Sequence, residues 1–111
     1  MKRRQLEPVL LGSLEEQVML AVVRTADRAY GMTVRRELEA VTGREITIGS
    51  VYATLDRLEA KGLVESDRAA TSDGGSRRVF GVTDFGVRSL AQTRETRERL
   101  WAGVKLRTAG A

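Results

Sequence analysis

Thr47 to Glu59 reads Thr-Ile-Gly-Ser-Val-Tyr-Ala-Thr-Leu-Asp-Arg-Leu-Glu. Thr47 is the type of residue that caps a helix N-terminus, its hydroxyl accepting an otherwise orphaned backbone N–H. Val51, Leu55 and Leu58 recur at helical spacing and form a core stripe. Stepping about 100° per residue places Gly49, Ala53, Asp56, Arg57 and Ala60 on the far side, with Ser50 and Tyr52 on the flanks. Near its start, the outward face is therefore small and polar. Such a face can approach a groove closely, and the free N–H groups of a helix N-terminus suit phosphate oxygens. The chemistry on offer is hydrogen bonding to a polyanion rather than bond making. Asp56 stands against a purely electrostatic reading: it either pairs with Arg57 or Lys61 or rejects wrong partners.

Charge and composition point the same way. The 111-residue chain carries a formal net charge of +4, and of its 19 basic side chains all but Lys2, Lys61 and Lys105 are arginines, suited to bidentate phosphate contact. Arg77-Arg78 lie between a glycine-rich turn and an apolar strand, and Arg36 falls on the outer face of a helix. A basic hairpin is often simply solvated; directly after a pair of short helices it reads as a contact to a nucleic-acid backbone. Cysteine and histidine are both absent, which excludes disulfides, thiolate or imidazole metal sites and Cys–His or Ser–His nucleophile pairs. No catalytic constellation, metal site or cofactor is expected. No apolar run approaches the roughly 20 residues of a membrane span, and Lys2-Arg3-Arg4 is followed by no hydrophobic leader, so a cytoplasmic protein is expected.

Around these residues the pattern is three helices, a hairpin and a last helix. The first helix is expected to open at Ser13, with Glu16 completing a capping box. Leu14, Val18, Ala21, Val22 and Thr25 form one stripe, while Met19, Leu20 and Val23 lie opposite. A helix apolar on both sides needs cover on both, from a second subunit or from another helix of the same chain. A second helix is expected from Thr33 to Thr42, buried through Val34, Leu38 and Val41 and ended by Gly43. The third runs from its cap at Thr47 towards Gly62. Strands are expected at 63–67 and 79–83, joined by Asp73-Gly74-Gly75-Ser76. A long last helix runs from Asp84 to about Leu106, apolar at Phe85, Val87 and Leu90 and again at Leu100, Trp101, Val104 and Leu106. Between these, Arg94–Glu98 and Glu95–Arg99 are i,i+4 pairs on an exposed stretch. The returning apolar end, with its tryptophan, suggests a contact made with a partner subunit.

These residues together resemble the PadR family of bacterial transcriptional regulators. The resemblance covers about residues 10–90: Leu11-Gly12-Ser13-Leu14-Glu15, Tyr30-Gly31, Ile48 through Glu59, Lys61-Gly62-Leu63-Val64-Glu65, Arg77-Arg78-Val79-Phe80 and Val82-Thr83-Asp84-Phe85-Gly86. It implies a dimeric winged helix-turn-helix on a near-palindromic operator, usually a repressor, with Ser50 and Tyr52 in the major groove and Arg77-Arg78 at the wing. In short family members the last helix and helix one dimerise, and some members release DNA on binding flat apolar compounds. Trp101 is the residue here to stack such a ligand, or it serves interface packing alone. Two departures accompany the resemblance: Gly81 replaces a commonly larger residue, and the wing tip from Arg68 to Ser76 carries little positive charge.

The expected molecule is mainly α with a small β-hairpin wing: a winged helix-turn-helix over residues 10–83, a dimerisation helix over 84–107, and flexible ends at 1–9 and 108–111. Expected DNA contacts are Arg36, Thr47, Gly49, Ser50, Tyr52, Ala53, Arg57, Arg77 and Arg78. Expected dimer contacts are Met19, Leu20, Val23, Leu100, Trp101 and Val104. The partners are double-stranded DNA, a second copy and a small apolar effector at Trp101, with no membrane. The alternative is a winged-helix module that docks on a protein, which Asp56 on the outward face favours.

Overall fold

The computed structural model describes residues 6–110. In chain order it contains α1 (Ser13–Thr25), a 3₁₀ turn (Ala26–Arg28), α2 (Gly31–Thr42), α3 (Ile48–Ala60), β1 (Val64–Ala70), β2 (Ser76–Val82) and α4 (Asp84–Trp101). This is the expected mainly helical chain with a two-stranded wing. Helices α1, α2 and α3 enclose a core of Val18, Met19, Val22, Val34, Leu38, Val51, Leu55 and Leu58, which Leu63, Val64 and Phe80 close at the root of the hairpin. Burial of these side chains, each contributing about 1.5–3 kcal/mol, drives the assembly.

Helix α1 differs from expectation at its start. Its N-cap is Gly12, whose N–H donates to the Glu15 carboxylate at 3.3 Å, so the acidic partner sits one residue earlier than the Ser13–Glu16 spacing suggested. A glycine returns no side-chain bond, and half of a capping box forms. Glu16 is then free to accept both Nη1 contacts of Arg97 in α4, at 2.5 and 2.6 Å. Met19 is fully buried among its own chain's core residues. The expectation that it faces a partner subunit is corrected: with α2, α3 and the hairpin root all packed on α1, the buried arc is wide enough to take Met19 in.

Helix α2 begins two residues earlier than expected and ends at Gly43 (φ 70°), whose N–H donates to Glu39 O at 2.9 Å. Val34 and Leu38 are buried, whereas Val41 is exposed at the end of the helix. Helix α3 carries the predicted stripe Val51, Leu55 and Leu58 with no exposure, and Thr54 is buried beside it, donating to Ser50 O. The wing is longer than read from sequence. β1 and β2 pair antiparallel from Val64↔Val82 to Ala70↔Ser76, and Thr71–Gly75 reverses the chain through a Thr71 N–H to Gly75 O bond of 2.9 Å. Arg68, Ala69 and Ala70 gave no strand signal because they bury nothing; ladder hydrogen bonds hold them.

Helix α4 ends at Trp101, about five residues short of the expected Leu106. Ala102 (φ −57°, ψ 124°) and Gly103 (φ 74°) form the two centre positions of a type II turn, closed by Val104 N–H to Trp101 O at 2.9 Å. The third position of that turn needs positive φ, which glycine supplies without a Cβ penalty. Val87, expected in the core, is exposed; Gly86, Ser89 and Thr93 are the buried positions of α4, and two of them carry hydroxyls. Those hydroxyls accept Val9 N–H at 3.1 Å and Leu11 N–H at 3.0 Å, and Arg88 Nη1 donates to Leu6 O at 2.7 Å. Residues 6–9, expected to fray, are thus strapped along α4, while residues 1–5 and 111 of the expected flexible ends lie outside the described residues.

Candidate nucleic-acid interface

The outward face of α3 has the composition read from its sequence. Gly49, Ser50, Ala53, Asp56 and Arg57 are exposed. Thr47 caps the helix: its Oγ1 accepts Ser50 N–H at 3.1 Å and donates to Ser50 Oγ at 2.9 Å. The remaining first-turn N–H groups stay available to an anion, and the positive end of the helix dipole lies with them. Arg57 reaches Thr54 Oγ1 at 3.3 Å through Nη2 and is otherwise open to solvent.

Tyr52 is half turned away from that face. Its ring lies over Gly31 at the start of α2, so closely that a Cβ on Gly31 would collide with its ring carbons and hydroxyl. A helix-turn-helix needs its two helices in close approach, and here a glycine and a tyrosine on successive helices make it. Tyr52 keeps 40% of its surface exposed, so one edge still looks outward.

The neighbouring Tyr30 is a part of the site that the sequence reading did not assign a role. Its N–H is capped by Thr33 Oγ1 at 3.0 Å, and its ring carries the Arg77 guanidinium 4.1 Å above the centroid. Arg77, on β2, has no carboxylate within ion-pair distance among the described residues. A flat ring holds its cation in place without neutralising it. Phe80 N–H donates to Ala29 O at 2.7 Å, fixing the wing against the same turn.

Arg78 is different. Its Nη1 donates to Asp56 Oδ1 at 2.9 Å and its Nη2 to Glu59 Oε1 at 2.6 Å, and its guanidinium stacks 4.8 Å from the Phe80 centroid. Asp56 therefore pairs across to the wing, and neither Arg57 nor Lys61 is its partner; Lys61 instead binds Glu15 at 2.7 Å. The bond to Asp56 holds the Arg78 guanidinium charged even more firmly than usual, with Glu59 adding to it. Ser66 of β1 donates to Glu59 Oε2 at 2.6 Å, and this bond, supported by Arg78, holds the Glu59 carboxyl below its ordinary value.

On the other side of α2, Arg36 is exposed and lines a cleft of about 450 Å³ with Arg24 and Arg28. Arg24 is paired to Glu37 at 3.5 Å, which leaves Arg28 and Arg36 as its uncommitted cations among the described residues. Neither Arg24 nor Arg28 stood out in the sequence, because single arginines in a 3₁₀ turn or at a helix end have no pattern. Among the described residues no helix is long and apolar enough to cross a membrane.

Three helices, a capped and outward-facing third helix, and a hairpin set beside it define a winged helix-turn-helix. The family model described as the transcriptional regulator PadR-like family matches residues 19–92, and the chain belongs to that family of DNA-binding transcriptional regulators. The transcriptional regulator Rv3488 of Mycobacterium tuberculosis is 35% identical over 74 residues, 67% of each chain. An uncharacterized protein X of Lysinibacillus sphaericus is 29% identical over 99 residues, covering 87% of this chain and 85% of the other. The same fold is seen in a PadR-like transcriptional regulator of Bacillus cereus, with a TM-score of 0.68 and 22% identity over 80% of this chain and 84% of that one. The complex structure of hsRosR-S1 gives a TM-score of 0.67 and 26% identity, over 85% and 79% of the two chains.

Proposed function

We propose that this regulator binds a two-fold-symmetric operator as a homodimer and represses transcription from it. In this reading α3 enters the major groove, with Gly49, Ser50 and Ala53 and the outer edge of Tyr52 towards base edges. Thr47 and the first-turn amides take a phosphate, and Arg57, Arg36 and Arg77 flank the groove as backbone contacts. The observation that carries the reading is the small, exposed N-terminal face of α3 beside an Arg77 whose charge is held but not neutralised. Side chains this small read few base edges directly, so the shape and deformability of the duplex carry much of the specificity.

The dimer is supported by apolar surface left over on two elements. Leu20 and Val23 on α1 are exposed, and Leu100 (73%), Trp101 (57%) and Val104 (48%) are exposed at the end of α4. Leu20, Val23, Leu38 and Val41 line an apolar groove of about 260 Å³ between α1 and α2. Surplus of this kind on a small chain is the mark of an interface. A flat apolar effector stacked on Trp101 at that interface would shift the two α3 helices out of register with the half-sites and release DNA.

The testing experiment titrates the protein against the DNA upstream of its own gene, with random competitor, at several salt concentrations, with light scattering on the same samples. Saturable binding by a dimer that survives competitor is the expected result. Binding equal to that of random duplex would refute the operator reading. Asp56, whose place on the outward face favoured a protein-docking module, is tied to Arg78, and that pairing accounts for it without the alternative.

A further inference from the structure

We propose that Arg78 is a positioning residue that locks the wing to the recognition helix, so that the two DNA-reading elements move as one body, and that it is not itself a phosphate contact. The inference rests on the DNA-binding reading above and goes beyond it by assigning the two adjacent arginines opposite roles.

Four side chains meet at this point. The guanidinium of Arg78 on β2 bridges carboxylates almost one helical turn apart on α3, at 2.9 Å to Asp56 and 2.6 Å to Glu59. Ser66, on the other wing strand, donates to the second oxygen of Glu59 at 2.6 Å. Both strands of the hairpin are therefore tied to the same turn of α3. Exposed ion pairs taken singly contribute little, but a forked guanidinium on two carboxylates, closed by a hydroxyl, is the networked geometry in which they count. Arg78 and Glu59 are part-buried, 29% and 35% exposed, while Asp56 at 60% forms the outer, wetter arm of the fork. One face of the guanidinium is covered by Phe80.

The charge balance decides between clamp and contact. Two carboxylates around one guanidinium leave the cluster with one net negative charge, so an incoming phosphate meets repulsion at Arg78. At Arg77 it meets an uncompensated cation on a tyrosine ring. Adjacent residues of a strand point to opposite faces, which is how one arginine turns to α3 and the next to Tyr30.

Two full-length variants separate the possibilities, each measured as the ratio of affinity for the upstream duplex to that for random duplex. Lysine serves phosphate well as a point charge but lacks the rigid planar fork that reaches both carboxylates while stacking on Phe80. The clamp therefore predicts that Arg78→Lys lowers the ratio at least about tenfold, a small part of the usual margin between specific and non-specific binding. A phosphate contact predicts a ratio and salt slope close to wild type. The second variant, Asp56→Asn/Glu59→Gln, makes the protein more positive by two charges. Electrostatics alone predicts tighter binding to every duplex with an unchanged ratio, and that outcome overturns the proposal. The clamp predicts a fallen ratio despite the added positive charge. Should the wild type itself show no preference for its upstream duplex, the operator reading fails. Hydrogen exchange then still decides on the clamp: faster exchange of the β1 and β2 amides in the double variant supports it, and unchanged exchange refutes it.

Discussion

Replacing Arg77 with alanine removes the cation proposed above as a backbone contact and almost nothing that holds the fold. The Arg77 guanidinium sits 4.1 Å over the Tyr30 ring, and its side chain is exposed on β2. Loss of an exposed cation–π contact costs about 0.5–1 kcal/mol, a Tm fall of a few degrees for a chain of this length. The effect on DNA is larger and has a signature. One phosphate fewer neutralised makes the slope of log K against log salt shallower by about 0.9. Between 50 and 200 mM salt, the variant then loses roughly threefold less affinity than the wild type. At low salt it binds more weakly, and equally so for specific and random duplexes, because backbone contacts carry no sequence information. Fluorescence anisotropy at four salt concentrations, with a thermal melt of each protein, measures both. A slope unchanged from wild type refutes the assignment. A melt lowered by more than about 10 °C would make Arg77 structural and refute it from the other side.

Gly31→Ala should lower stability by about 1–3 kcal/mol, since its Cβ collides with the Tyr52 ring, and Gly31→Ala/Tyr52→Ala should recover part of that loss in denaturant melts; additive losses would show that the two do not touch. The carboxyls of Glu59, held low first by Ser66 and then by Arg78, and of Glu15, held low by Lys61, have folded values below the ordinary 4.5. Their contribution is present above that value and is lost as pH falls through the lowered folded values, so stability should drop on acidification below about pH 4.5 and Glu59→Gln should flatten the drop. Val23→Glu places a charge on the exposed apolar face of α1 and should shift sedimentation towards monomer at micromolar concentration while leaving the helical circular-dichroism signal intact. An unchanged dimer would move the interface elsewhere.

What could be read in the sequence was what neighbours in the chain decide. Thr47 as a cap, Gly43 as a terminator and the Val51–Leu55–Leu58 stripe depend on a turn or two of helix, and all three stand as read. Met19 was misplaced because periodicity gives a side chain's direction but not how many elements surround the helix. The Asp56–Arg78 bond joins residues 22 apart, and the nearer candidates Arg57 and Lys61 were the natural partners on spacing alone. Ser89 and Thr93 looked like surface residues, as hydroxyls usually do. They are buried because an extended segment about 80 residues earlier needs acceptors for its N–H groups. The end of α4 was missed for a different reason: Ala102-Gly103 encodes a turn, but the apolar residues beyond it continue a plausible helical rhythm.

The strap along α4 also sets an order of events in synthesis. Val9 and Leu11 leave the ribosome early, yet the hydroxyls that accept their N–H groups lie 80 and 82 residues further on. At about 5–20 residues per second, those amides wait roughly 4–16 s for their partners to be made. During that interval the first helices, whose contacts are closer in sequence, can begin to form without them. The contacts of highest sequence separation are then made last, as loop-closure entropy favours. Residues 6–11 are thus translated before α1 yet settle after it, and they seal the domain only once the chain has passed Thr93.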